Sequence, residues 1–179
     1  MSGMSSHTNV RDDWTFELKG LAGERKFLVA EGLPSEWMIE SVMQGQTDIT
    51  DKAINVGGDL EGIVITLTNR GAKMHGTVID DRGKPVHDCS VLIFPEDPAL
   101  GPPGMMWYVR VLRPTEAGVF SVDRLPAGNY MIAAVPVIDD GDEADPEVLE
   151  QLRSVAVRVP LRWGDTKELS LKVAAFERR

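Results

Sequence analysis

Residues 118–135 read Gly-Val-Phe-Ser-Val-Asp-Arg-Leu-Pro-Ala-Gly-Asn-Tyr-Met-Ile-Ala-Ala-Val. Phe120 and Val122 alternate with polar neighbours, Leu125-Pro126 breaks the run, and Tyr130 and Ile132 open a second one, which predicts two strands joined at a Leu-Pro corner. Residues 27–42 carry the same phrase: Phe27 and Val29, then Leu33-Pro34, then Trp37-Met38-Ile39 and Val42. A β unit used twice is the mark of tandem β-sandwich modules. Outward from these stretches, further strands are predicted over 14–18 (Trp14, Phe16, Leu18), 62–67, 73–79, 86–94, 105–112, 155–161 and 169–173, with 54–58 a short irregular or turn segment. In the 105–112 strand, Trp107, Val109 and Val111 share one face and Tyr108, Arg110 and Leu112 the other. One short helix is expected after the acidic loop, with Asp145 as N-cap, Pro146 in its first turn and Val148, Leu149 and Leu152 as its apolar side.

Composition narrows the function classes. Of 179 residues, 42% are hydrophobic and 26% charged, as in a water-soluble globular protein, and no apolar run is long enough to insert into a bilayer. The net charge of -9 argues against nucleic acid, since phosphate binding needs clustered Lys and Arg to release counterions. The single cysteine, Cys89, allows neither an internal disulfide nor a Cys-based zinc site within the chain. Residues 1–10 lack the basic and apolar regions of a secretory signal and look like a disordered lead-in, which fits an intracellular protein or a piece of something longer.

The spacing Gly76-x-Val78-x-Asp80-x-x-Gly83-x-Pro85-Val86-x-x-Cys89-x-Val91, followed by Gly118-x-Phe120-x-Val122-x-x-Leu125-Pro126-x-Gly128-x-Tyr130-x-Ile132-x-Ala134, resembles the carboxypeptidase regulatory-like domain family. The resemblance covers residues 72–175 and implies a seven-stranded, transthyretin-like (prealbumin-like) Greek-key sandwich. Cys89 departs from the small residue, usually Ala, found there in the family, and a buried thiol fits the same slot. Each pattern residue has a folding role: Gly118 the tight turn, Phe120 and Val122 the core, Gly128 a left-handed backbone, Tyr130 and Ile132 the return strand. The pattern therefore predicts no catalytic residue.

The expected architecture is all-β: a lead-in at 1–11, a partial sandwich over 12–71 matching only the second half of the pattern, and a complete sandwich over 72–176. An incomplete sandwich exposes an apolar face and open edges, so an upstream domain or a second protomer is expected to complete it. The resemblance implies a non-catalytic structural or interaction module of a bacterial secreted or cell-envelope protein, with no cofactor.

Competing chemistry is thinner. Met105, Met106, Trp107 and Tyr108, beside the Pro- and Gly-rich 95–104 loop, form a candidate surface for stacking a sugar or docking a peptide, weighed against simple core burial. Asp139, Asp140, Asp142 and Glu143 could offer hard oxygen ligands to calcium, but they miss the EF-hand pattern, and a solvated loop is the simpler reading. Tyr108, Tyr130, His75 and His87 match in type the two Tyr and two His that bind iron in intradiol dioxygenases of transthyretin-like fold, without the His-x-His spacing. The Tyr-Arg-Gly-Ser ending of hydroxyisourate hydrolases, the His-x-x-Glu of zinc carboxypeptidases and a Gly-x-Ser-x-Gly elbow are all missing.

Overall fold

A computed structural model describes residues 8–26, 33–100, 108–136, 138–139 and 141–176. In chain order the elements are β1 (Gly23–Arg25), β2 (Met38–Gln44), β3 (Thr47–Asp48), β4 (Ile54–Val56), β5 (Ile63–Thr68), β6 (Ala72–Ile79), β7 (Ser90–Pro95), β8 (Arg110–Leu112), β9 (Val119–Leu125), β10 (Gly128–Val135), α1 (Pro146–Arg153), β11 (Val157–Leu161) and β12 (Thr166–Lys172). They fall into two compact units. The first takes the described residues up to Lys26 and residues 39–67; the second takes 33–38 and the described residues from Thr68 on.

The second unit is a seven-stranded sandwich of two sheets, ordered β12-β6-β9 and β11-β10-β7-β8. The chain crosses from β6 to β7, pairs β7 with β8, and crosses back so that β9 lies antiparallel to β6, which is a Greek key folded over two layers. β12 runs parallel to β6 through Lys172, after which Val173 bridges to Ala134 of β10, so the last strand passes from one sheet to the other and closes that side. Between the sheets lie Met74 and Val78 of β6, Phe120 of β9, and Tyr130 and Ile132 of β10, all nearly inaccessible. Pro160 sits in β11 at the edge of its sheet, where a strand tolerates a residue without an amide donor.

A second core lies on the far side of the four-stranded sheet. Val148, Leu149 and Leu152 of α1 pack with Leu92 and Phe94 of β7 and Met131 and Ala133 of β10. Both faces of β7 and β10 are thus covered, which explains their unbroken apolar runs, where a half-solvated strand would alternate. The helix begins as expected: the Asp145 carboxylate accepts from the Glu147 amide at 2.9 Å, with Pro146 in the first turn. Arg153 fastens its other end, donating to the carbonyls of Glu96 (2.7 Å) and Pro95 (3.3 Å) with its guanidinium 5.5 Å from the Phe94 ring centroid.

Two glycines are imposed by close approach. A Cβ on Gly76 would lie 1.9 Å from the Leu169 carbonyl oxygen, and one on Gly118, at φ 72°, would lie 2.7 Å from that of Val78. Gly128 does not supply a left-handed residue at the Leu-Pro corner; the left-handed residue is Arg124, at φ 55°, where the pairing of β9 with β6 shifts register just before Leu125, and the chain reverses at Pro126–Ala127 between β9 and β10. Tyr130 completes the corner by donating its buried hydroxyl to the Pro126 carbonyl at 2.9 Å.

The first unit holds a three-stranded sheet, β3-β2-β5, and a two-stranded one, β1-β4, making it the partial member of the pair. Among its described residues, the buried apolar side chains are Val42, Ile49 and Val56. Three local expectations change. The 14–18 segment is not a strand, because Trp14 adopts φ 63° inside a turn. Residues 54–56 are not irregular but pair with β1, Ile54 opposite Arg25. Residues 86–89 precede β7 as irregular chain, Pro85 being tied to Ile79 by an isolated bridge. Phe27 and Val29, half of the repeated phrase, lie outside the described residues.

Candidate functional site

The stacking surface expected at 105–108 does not survive in its described part. Tyr108 is buried between the sheets, its ring centroid 6.3 Å from that of Tyr130: it stands in the turn that leads into β8, and it and Leu112 pack into the inter-sheet core while Val109 packs on the helix side. Met105, Met106 and Trp107 lie outside the described residues.

In the acidic loop the carboxylates serve the backbone. Glu143 accepts from the Gly141 amide at 2.9 Å, Asp145 caps α1, and Asp142 is buried at the start of a short 3-10 turn. Asp140 lies outside the described residues, and among those described no group of three or more His, Cys, Asp or Glu is placed to hold a metal ion. The Tyr and His residues of the iron comparison are dispersed: Tyr108 and Tyr130 in the core, His75 on the outward face of β6, and His87 exposed beside Asp88. Cys89 is fully buried, and desolvation pushes its thiol pKa up, which keeps it protonated and unreactive.

Strand register creates one grouping that linear spacing hides. Glu168 of β12 stands opposite His75 of β6, and His75 opposite Ser121 of β9, all three on the exposed face of the three-stranded sheet. Carboxylate, imidazole and hydroxyl in that order are the types used for nucleophilic catalysis. No hydrogen bond joins the three side chains. Backbone amides lie in the plane of a sheet and not out of its face, so none is aimed at the space above these side chains, where an oxyanion would form. The row is a solvated polar face.

The turn at Arg11–Glu17 is a different kind of site. The Arg11 amide donates to the Thr15 carbonyl (2.8 Å) and the Trp14 amide to the Arg11 carbonyl (2.9 Å). Asp13 accepts from both the hydroxyl (2.7 Å) and the amide (3.1 Å) of Thr15, and Arg11 reaches the Thr15 hydroxyl and pairs with Glu17 at 3.1 Å. The Thr15 hydroxyl and amide hold the Asp13 pKa below the ordinary carboxylate range, so it stays ionised at neutral pH. At the tip stands Trp14, 85% exposed. Alternation of Trp14, Phe16 and Leu18 suggests a strand; the Asp-x-Thr spacing of Asp13 and Thr15, an Asx-turn signature, is the signal that points to the turn.

Fold and surface together define a non-barrel, all-β protein made of one partial and one complete sandwich. No family model matches the chain, and no curated protein matches it by sequence. Among solved structures it is similar to BcpA, the major pilin subunit of Bacillus cereus, at 13% identity over 80% of this chain and 40% of the pilin, with a TM-score of 0.43. It is also similar to a streptococcal ancillary pilin, at 14% identity over 76% of this chain and 44% of that one, TM-score 0.39. A third is a proposed carbohydrate-binding protein of Pseudomonas aeruginosa, at 14% identity over 57% of this chain and 88% of that one, TM-score 0.37. The chain spans about two fifths of the length of the Bacillus pilin.

Proposed function

We propose that this chain is a non-catalytic structural and interaction module of a larger bacterial secreted or cell-envelope protein, related to carboxypeptidase regulatory-like domains. The residues of the sandwich pattern support this reading because packing uses them: Gly76, Gly118, Phe120, Leu125 and Tyr130 are all committed to the fold. The observation that carries the interaction half is the small buried core among the described residues of the first unit. Ile63, Ile65 and Leu67 line one face of β5 yet are only half-buried, while Val64 on the other face is 57% exposed. Half-buried aliphatic faces on a short sheet invite coverage by further β-structure, from an upstream domain or a second protomer.

Hydrogen exchange tests this. In the isolated chain the amides of β2 and β5 should exchange far faster than those of β6 and β10, and they should slow in the protein as it occurs in its cells. Equal protection of both units in the isolated chain would sink the idea that the first unit needs a partner.

A further inference from the structure

We propose that the Arg11–Glu17 turn is a saccharide-docking site, with the Trp14 ring as its stacking platform and Arg11, Asp13 and Glu17 as the rim that reads hydroxyl groups. The first ground is conformational. Trp14 holds φ 63°, a left-handed backbone that penalises every residue with a Cβ and is a genuine outlier for a bulky one. Glycine or asparagine would suit the turn better. The second ground is that the side chain recovers nothing from the fold, being 85% exposed. A local rule broken with no compensating gain in packing marks a residue kept for a ligand. The third is rigidity: the Asp13–Thr15 and Arg11–Glu17 contacts fix the turn before any ligand arrives, so little ordering remains to be paid on binding.

The chemistry of the surround selects the ligand class. A tryptophan that anchors a protein partner sits in a patch whose neighbours can be fully desolvated. Here the turn that carries the ring also carries Arg11 and Glu17, whose side chains are 58% and 52% exposed, and stripping both of water against an apolar pocket would be costly. A pyranose fits better: its C–H face lies on the indole, and its hydroxyls replace water on the carboxylates and guanidinium. Nucleic-acid bases also stack on Trp, but a chain with net charge -9 repels their phosphates.

The test follows the backbone amide resonances of Asp13 to Glu17 in the full isotope-labelled chain during titration with cellohexaose, maltohexaose and chitohexaose. A saturable shift with at least one of them is expected, weakened about tenfold or more in Trp14→Ala and several-fold in Glu17→Gln. Trp14→Gly should abolish the shift while raising the thermal midpoint, a pairing that mere structural damage does not produce. No shift with any probe at about 10 mM, where millimolar ligands would saturate, overturns the proposal. So does a shift that persists in Trp14→Ala, or one that appears with protein concentration alone, which would make a second copy the occupant. None of these failures would touch the reading of the chain as a structural module.

Discussion

The two Leu-Pro corners carry nearly the same sequence and end differently. After Leu125-Pro126 the aromatic turns inward: Tyr130 is fully buried and its hydroxyl bonds back to the Pro126 carbonyl. After Leu33-Pro34 the aromatic turns outward: Trp37 is 38% exposed, with only its backbone amide returning to the Pro34 carbonyl at 2.9 Å. The second corner even supports the first, since the Arg124 guanidinium donates to the Ser35 carbonyl. The phrase thus sets the bend, while the fate of the aromatic depends on whether two sheet faces wait to receive it. Tyr130 has them; Trp37 does not.

The sharpest contrast should come from glycines. Gly76→Ala places a methyl group against the Leu169 carbonyl and the Phe120 ring, which must displace strand backbone, and a loss of about 3 kcal/mol or more is expected in urea unfolding. Gly58→Ala in the first unit meets open space and should stay within about 0.5 kcal/mol of the parent. Next comes the helix layer. Leu152→Ala removes a fully buried side chain and should cost about 2–5 kcal/mol, whereas Val64→Ala on β5 should cost well under about 1 kcal/mol in the isolated chain. A large cost at Val64 would show that the first unit already owns a tight core. At the corners themselves, Tyr130→Phe strands a buried carbonyl and should cost about 1–2 kcal/mol, while Trp37→Phe should change stability by less than about 0.5 kcal/mol.

The same contrast explains what could be read in the sequence. The second sandwich was legible because its elements are over-determined: Gly118, Phe120, Leu125 and Tyr130 each have a single physical role, and periodicity, turn chemistry and motif agree on it. The N-cap at Asp145 was legible for the same reason. What escaped were properties that pairing creates. The helix-covered outer core follows from the non-alternating runs of β7 and β10, whose continuity was the available signal, but no spacing says what covers them. The Glu168–His75–Ser121 row exists only through register across three strands. At Trp14 apolar alternation over five residues looks like a strand, and the turn-forming pair Asp13 and Thr15 competes with it locally and wins. Tyr108 suggests a surface because a neighbouring Pro- and Gly-rich loop suggests exposure, while the turn that leads into β8 carries it into the inter-sheet core.

The smallest effect separates two aspartate turns, one in each unit. Asp80 has its pKa held down chiefly by the Lys84 amide, with the Arg82 amide and the charges of Lys84 and Lys172 assisting. Asp48 is held down first by the Thr50 hydroxyl, then by the Thr50 amide and the charge of Lys52. Both folded values lie below the unfolded one, so the contribution of each turn is complete above the ordinary carboxylate range and is lost as pH falls through the folded values. Amide titrations should therefore show the Lys84 and Thr50 resonances moving at midpoints below those of an unstructured aspartate. Asp80→Asn keeps an oxygen acceptor and should remove the titration at Lys84 with the turn intact, because the backbone bonds do not require the charge. Thr50→Val strips the hydroxyl that acts first on Asp48, so its midpoint should rise toward the ordinary range while that of Asp80 stays put. If Thr50→Val leaves the Asp48 midpoint where it was, the Thr50 amide and the Lys52 charge set it, and the two units use the same amide-and-lysine device at their turns even though they differ so much in their cores.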